Sequence, residues 1–252
     1  MKKHSPTCLQ SKPRSRFGLT VALAAGATVA TAHPVVAQEQ PDLSGLWVVT
    51  GYAHAIKTSE GKSPPLLPAP AGIYAKRRAS LAKGDISYDS VAARCTPPGM
   101  PRIMTIPYAF QIIQTPKRIA FLFEWNRLYR RVDLDGPSRA ADDLQFTGRS
   151  SGHWDHGSLV IDTARIDETL LDDAGMPHSR DLKMNEHFRL RQDGTLENRM
   201  QFDDPKTFRT PWETVVTYRR LPVGTRLTEN ICLDRLRTSQ AIEKDHFLTY
   251  PR

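Results

Sequence analysis

The chain has 252 residues, with 35 Lys and Arg against 27 Asp and Glu, and it is 39% hydrophobic and 25% charged. These ordinary values exclude a disordered, a collagenous or a multi-span membrane protein. The length allows one large domain or two small ones, with enough apolar residues for a true core.

The first 37 residues have the layout of a secretory signal. Five basic residues and no acidic residue accompany the apolar run FGLTVALAAGATVAT at 17–31. That run is too short to span a bilayer, which needs about 20 residues. Small-x-small cleavage sites end at Ala32 and at Ala37, and we favour Ala37 because polar residues follow it. The pattern predicts a signal peptide over 1–37, a single domain over 38–252, and a periplasmic or secreted protein.

Removal of this leader changes the charge and the cysteine count. The formal net charge falls from +8 to +3, because the leader carries five basic groups and no acid. A nearly balanced chain lacks the basic surface that nucleic acid requires. Cys95 and Cys232 remain as an even pair in an oxidising compartment. We therefore predict a disulfide between them.

Residues 51–108 are rich in proline, which disfavours sheet structure and predicts a long ordered loop. One short helix is predicted inside this loop, from near Pro70 to Gly84, with Ile73, Tyr74 and Leu81 sharing a face. We expect this helix to pack across one end of the sheet.

From residue 109 onward, alternating runs separated by turn residues indicate eight to ten antiparallel strands. Asp193 and Gly194 are predicted to form a two-residue hairpin. The expected fold is mainly β, an antiparallel meander closed as a lipocalin-like barrel or a curled sheet. Strand parity places several polar or amphipathic side chains on the inward face, which favours a cavity over a solid core. They are Arg130, Glu186, Asn198 and Tyr218.

Several segments carry a resemblance to known proteins. DLSGLW at 42–47 is similar to the Gly-x-Trp strand start of lipocalin-like barrels. The chain from Asp42 to Arg235 resembles a family of secreted bacterial proteins known only as uncharacterised, which implies a periplasmic, mostly β protein and no particular activity. Where such proteins often carry His in a Gly-His-Ser stretch, this chain has Arg149, so chemistry that depended on that His would differ or be absent here. The further segments that carry the resemblance are ARCTPPGMPR at 93–102, YRRVDLDG at 129–136, GHWDHGSLVIDT at 152–163, LDDAGMPHS at 171–179 and DDPKTFRTPW at 203–212.

Three residues are candidates for proton transfer. Glu186 on an apolar face should have a raised pKa if it is desolvated, which suits a general acid or base. His178 lies on a loop beside Asp172 and Asp173, as a His oriented by a carboxylate would, and Asp173 is the third candidate. The structural alternatives are a buried ion pair of Glu186 with Arg130 and a solvated turn His.

The remaining candidates are expected to bind the ligand rather than to transfer a proton. Arg130, Asn198, Tyr218 and Trp154 are predicted to contact the ligand, with Arg130 as the anchor for a negative group. His153 and His156 are not expected to converge on one ion, so no metal site is predicted. No phosphate loop or hydrolase motif is present in the sequence, and no cofactor is expected.

Two function classes follow. The first, slightly favoured, is a cofactor-independent acid/base enzyme, a lyase, isomerase or hydratase, acting on a small, partly apolar or aromatic compound. The alternative is a non-catalytic, lipocalin-like protein that binds such a compound. A purely structural envelope protein is a third interpretation and would have no cavity. The expected partner is a small molecule, with no nucleic acid and no membrane span, and the sequence indicates no oligomeric state.

Overall fold

The structure is a closed barrel of nine strands. The computed structural model describes residues 40–134, 136 and 143–233. The predicted signal peptide over 1–37 and its cleavage site lie outside these residues. The strands are β1 (Gly45–Val49), β2 (Phe110–Thr115), β3 (Arg118–Phe123), β4 (Tyr129–Asp133), β5 (Arg149–Asp155), β6 (Ser158–Ala164), β7 (Lys183–Leu190), β8 (Leu196–Asp203) and β9 (Trp212–Arg220).

Alternation of side chains explains why these segments form a barrel. In β8, every second residue from Leu196 to Phe202 is buried, and the residues between them face outward. The same period places large aromatic side chains inside, where Phe110 contacts Tyr218 edge-on at 5.1 Å between ring centroids. The mainly β, closed barrel predicted from the sequence is therefore confirmed.

One neighbouring pair of strands departs from the predicted antiparallel order. Strands β4 and β5 run parallel, whereas all other neighbours, including β1 and β9, are antiparallel. An odd number of strands cannot alternate in direction around a closed ring, so at least one parallel pair is required. The parallel pair is short, because only Val132 with Ser150 and Asp133 with Ser151 are in register.

The turn between β7 and β8 differs from the predicted two-residue hairpin at Asp193 and Gly194. The Gly194 N–H donates to the Arg191 carbonyl at 3.0 Å, and the Arg191 N–H donates to the Thr195 carbonyl at 2.8 Å. Gly194 has φ of +81°. The loop thus has three residues, with glycine in the left-handed position that closes this kind of hairpin.

One end of the barrel is covered by two segments, residues 51–109 and 165–182, which we call the cap. Strands β1 and β6 end, and β2 and β7 begin, at this same end, so both segments leave and return there. The cap contains three helices, α1 (Pro68–Ala82), α2 (Ser90–Arg94) and α3 (Arg102–Thr105), instead of the one predicted. Most of its buried apolar side chains belong to the same cluster as those of the barrel.

Helix α1 corresponds to the helix predicted from near Pro70 to Gly84, and both of its ends lie two residues nearer the amino terminus than predicted. It starts at Pro68, whose fixed φ suits the first turn. Tyr74 is buried and Leu81 is partly buried, but Ile73 is 45% exposed, so the predicted shared face of these three residues is wrong for Ile73. Adjacent residues are about 100° apart on a helix, which separates Ile73 from Tyr74.

The predicted disulfide between Cys95 and Cys232 is present, with its Cα atoms 5.5 Å apart. It joins the end of α2 to the segment that follows β9. Asn126 fixes the same segment, since its N–H donates to the Asn230 carbonyl at 2.8 Å and its Oδ1 accepts from the Cys232 N–H at 2.9 Å. A disulfide is compatible with the predicted oxidising compartment. None of the helices in the described segments is both long and apolar enough to cross a bilayer.

Candidate functional site

A buried polar network crosses the barrel interior at Arg130, the second residue of β4. Its Nε–H donates to Ser150 Oγ at 3.0 Å, and its Nη2 donates to Thr163 Oγ1 at 2.6 Å and to the Glu186 carboxylate. Asn198 Nδ2 donates to the other Glu186 oxygen at 3.0 Å. The structure thus brings three of the predicted residues, Arg130, Glu186 and Asn198, into one network.

This network compensates for the short parallel pair. Backbone pairing between β4 and β5 is limited to two residues of each strand, yet Arg130 reaches from β4 to β5 through Ser150, to β6 through Thr163 and to β7 through Glu186. The guanidinium also lies 5.4 Å from the centre of the Phe121 ring. The side chain of Arg130 therefore links four strands where backbone hydrogen bonds are few.

Tyr218 lies beside this network, next to Asn198 and near the charges of Glu186 and Arg130. Among these side chains, three fully buried atoms have no hydrogen-bond partner within the described residues: Arg130 Nη1, Asn198 Oδ1 and the Tyr218 hydroxyl. Burial, and the nearby Glu186 carboxylate, raise the pKa of Tyr218 far above its usual value. Tyr218 is therefore neutral at physiological pH.

His178, the second predicted proton carrier, lies in the cap, away from the barrel network. Its Nε2 accepts from the Thr169 N–H at 3.1 Å, so its Nδ1 is the protonated nitrogen and donates to the Ser179 carbonyl at 2.9 Å. Burial lowers the pKa of His178. Both ring nitrogens are thus engaged in holding the loop that enters β7.

Asp173, the third predicted proton carrier, lines a cavity of about 220 Å³ in the cap, which we call the cap cavity. Its apolar wall comes from Leu81, Ile86, Val91, Ile106, Pro107, Tyr108 and Trp125, and its polar side from His54, Asp89, Arg102 and Asp173. The Tyr108 and Trp125 rings pack together with centroids 4.9 Å apart. Of the three predicted proton carriers, Asp173 alone lines this cavity.

Arg102 organises the polar side of the cap cavity. Its Nη1 and Nη2 donate to both oxygens of Asp89 at 2.9 and 2.6 Å, and its Nε–H donates to Asp173 Oδ1 at 2.5 Å. Burial of Arg102 opposes its charge, but the two carboxylates outweigh it and raise the pKa of the guanidinium. Asp173 is thereby held in one orientation, and 17% of its side chain remains exposed.

Tyr52 connects Asp173 to His54. The Tyr52 hydroxyl donates to Asp173 Oδ2 and lies 3.1 Å from His54 Nδ1. Because the single hydroxyl proton is used for the carboxylate, His54 Nδ1 must be the donor, and a neutral His54 ring then carries its lone pair on Nε2. Burial and the Asp173 charge raise the pKa of Tyr52. The three side chains form a continuous hydrogen-bonded chain at the edge of the cap cavity.

The neighbouring Asp172 has a structural role. It accepts hydrogen bonds from the Ile56 N–H at 3.1 Å, from the Tyr74 hydroxyl at 3.0 Å and from the Met176 N–H at 2.9 Å. These bonds connect the 165–182 segment to the 51–109 segment, including helix α1. Burial raises the pKa of Asp172, although the three donors work against it. The rigid loop around Asp172 fixes the position of Asp173.

Arg149 and Trp154 lie outside both the barrel network and the cap cavity. Arg149 forms an ion pair with Asp143 and lines a groove of about 440 Å³ beside β4 and β5, together with Arg127 and Arg131. Trp154 is partly buried and packs against the barrel core. Neither this groove nor the cap cavity is lined by Glu186, Asn198 or Tyr218.

Most of the polar side of the cap cavity was not predicted from the sequence. Arg102 ends the ARCTPPGMPR segment, and Asp89 caps α2 by accepting from the Val91 N–H at 3.0 Å. Tyr52 and His54 lie in an irregular stretch without periodicity. The one available signal was an arginine inside a proline-rich segment that carries the resemblance.

The fold and these contacts define a closed, capped β-barrel with a lined cavity within the cap. No protein-family model matches the sequence, and no curated protein matches it. The nine-stranded closed barrel is consistent with the lipocalin-like resemblance, whereas membership of the secreted bacterial family stays a prediction.

Proposed function

We propose that the protein binds a small, partly apolar compound in the cap cavity, with Asp173 at the polar end of the site. The main support for this proposal is that the cavity combines aromatic and aliphatic walls with the carboxylate of Asp173. This carboxylate is held by Arg102 and Tyr52 and is still partly exposed. Ligand sites typically join apolar walls to a few placed polar groups.

The size of the cavity limits the ligand. Its volume of about 220 Å³ lies below the range of roughly 300–1,000 Å³ that is typical of sites for drug-sized molecules. A compound with one ring, or a short chain, and one polar group fits these dimensions. Both oxygens of Asp89 accept hydrogen bonds from Arg102, which in turn holds Asp173. This supports the proposal, because a side chain that is already fixed loses little entropy when a ligand binds.

A cavity-filling variant tests the site. Ala92 lines the cap cavity on α2, whereas Ala75 is exposed on α1, so Ala92→Phe and Ala75→Phe form a matched pair. A panel of single-ring compounds is measured by calorimetry and native mass spectrometry. We expect binding to be lost in Ala92→Phe and kept in Ala75→Phe. Equal binding in the two variants would place the ligand elsewhere, and no binding by the unmodified protein would refute the proposal.

A second function, acid/base catalysis, is favoured by the chain from Asp173 through Tyr52 to His54. In this proposal His54 Nε2 takes a proton from the bound compound, while Tyr52 and Asp173 hold the ring in the required tautomer. The reaction would be of the lyase or isomerase type. Glu186 and His178, which the sequence favoured as proton carriers, have structural roles in this proposal.

His54→Gln separates the two functions. A binding protein should keep its affinity for the single-ring panel, because the amide of the glutamine retains a polar group at the cavity edge. An enzyme should lose turnover of the panel, followed by chromatography, with affinity little changed. Tyr52→Phe should lower turnover less than His54→Gln, since it removes the orienting group and leaves the base.

A further inference from the structure

The ligand's polar group can be assigned a charge, on the assumption that the cap cavity binds a small compound as proposed above. We infer that the ligand is a small organic cation, a protonated amine attached to an apolar or aromatic body. The inference rests on three features of the cavity, namely its ionic pairing, its aromatic surface and the exposed part of Asp173.

The ionic pairing leaves negative charge in excess. Two carboxylates, Asp89 and Asp173, and one guanidinium, Arg102, line the cavity. All three guanidinium nitrogens donate to these carboxylates, and Arg102 is only 5% exposed, so an anionic ligand has little access to its charge. Arg77 interacts with Asp89 and keeps its charge, but it does not line the cavity, and its Nη1 donates to the Gly175 carbonyl at 3.0 Å. A ligand cation would meet the unbalanced carboxylate, whereas a carboxylate ligand would meet repulsion.

The aromatic surface also favours a cation. Tyr108 and Trp125 line the cavity with their rings tilted by 54°, and both rings are largely buried. A desolvated ammonium near the face of Trp or Tyr is attracted by the ring quadrupole. The aliphatic side chains of Leu81, Ile86 and Ile106 cover the rest of the ligand and select an apolar body.

Asp173 is the carboxylate that the cation can reach. Its side chain is 17% exposed, against 5% for Asp89, so Asp173 keeps lone pairs open to the cavity. A charge-assisted hydrogen bond from an ammonium to this carboxylate is of the strong class. The geometry therefore orients the ligand with its amine toward Asp173 and the aromatic rings, and its body toward the aliphatic wall of Leu81, Ile86 and Ile106.

Three isosteric probes test the charge at pH 7: phenethylamine (cation), 2-phenylethanol (neutral) and phenylacetate (anion). Calorimetry should show the amine binding at least about tenfold tighter than the alcohol, and phenylacetate binding most weakly. Asp173→Asn should abolish the preference of amine over alcohol. Asp155→Asn, on the hairpin at the opposite end of the barrel, should leave it unchanged.

The outcomes separate the inference from the proposed function. Equal affinity for amine and alcohol, or tightest binding of phenylacetate, would overturn the assigned charge and leave the binding function standing. Failure of all three probes would overturn both. Where Asp173→Asn does not fold, Trp125→Leu decides, because it keeps an apolar wall and removes the ring face. Loss of the amine preference there supports the inference, and an unchanged preference contradicts it.

Discussion

Breaking the buried pair of Arg130 and Glu186 should destabilise the protein strongly without affecting the cap cavity. Both side chains are fully buried. In Glu186→Gln the guanidinium loses the charge of Glu186 and keeps only neutral acceptors, the hydroxyls of Ser150 and Thr163 and the amide oxygen of the glutamine. Removal of one partner of such a pair costs about 3–5 kcal/mol. For a chain of this size, that lowers the thermal midpoint by about 6–20 °C.

The measurement is a double-mutant cycle followed by chemical denaturation. Arg130→Met and Glu186→Leu each leave one buried charge without its partner, whereas the double variant with both substitutions removes both charges. The double variant should recover most of the lost stability, because replacing a buried ion pair by apolar side chains is often neutral. Some loss should remain, since Asn198 Nδ2 then lacks its acceptor.

A half-exposed pair supplies the control. Arg199 and Glu213 form a cross-strand ion pair on the outer face at 2.7 Å, so Glu213→Gln should cost less than about 1 kcal/mol. A loss in Glu186→Gln as small as that of this control would refute the structural role. So would a double variant that is as unstable as either single one. Phenethylamine binding by folded Glu186→Gln should equal that of the unmodified protein.

Three further predictions concern stability. Burial lowers the pKa of His178, so the unfolded chain takes up its proton first as the pH falls, and stability should decline below about pH 6.5. His178→Gln should remove this pH-dependent contribution to stability. The difference in urea midpoint between this variant and the unmodified protein should therefore shrink from pH 7.5 to pH 5, and a pH-independent difference would contradict this. Replacing Cys95 and Cys232 by Ala opens a loop whose ends are 137 residues apart and should cost about 4–5 kcal/mol in urea, and an unchanged midpoint would argue against it. Gly148→Ala should cost more than about 1 kcal/mol of stability, because φ is +65° and the added Cβ would lie 2.7 Å from a neighbouring side chain. Gly194→Ala should cost less, because the space around its Cβ is open. Thermal melts in which Gly194→Ala is the less stable variant would contradict this prediction.

The barrel and its inner face could be predicted because a strand has a period of two. Parity alone placed Arg130, Glu186 and Asn198 on the same side as Phe188, and the structure shows their side chains in contact. Parity does not give the order of strands around a ring. The parallel contact between β4 and β5 therefore had no signal in the sequence.

The cap cavity could not be predicted, because its residues meet only in three dimensions. Tyr52 and Asp173 are 121 residues apart, and Arg102 and Asp173 are 71 apart. Irregular backbone has no repeating pattern that assigns a face to a side chain. Asp173 was selected beside His178 in sequence, but the loop directs the two side chains to different partners, Arg102 and Thr169.

The odd number of strands also has a consequence for folding. Strands β2 to β4 and β5 to β9 form two runs in which each strand pairs with its neighbour in sequence, so both can grow as successive hairpins. Strand β1 pairs with β2 on one side and with β9 on the other, through three residues in each case. Trp47 takes part in both, opposite Phe110 and Arg220. Its contact with β9 closes the longest loop and carries the greatest entropic cost. We therefore expect β1 to dock last in folding and its amides to exchange before those of β7 and β8.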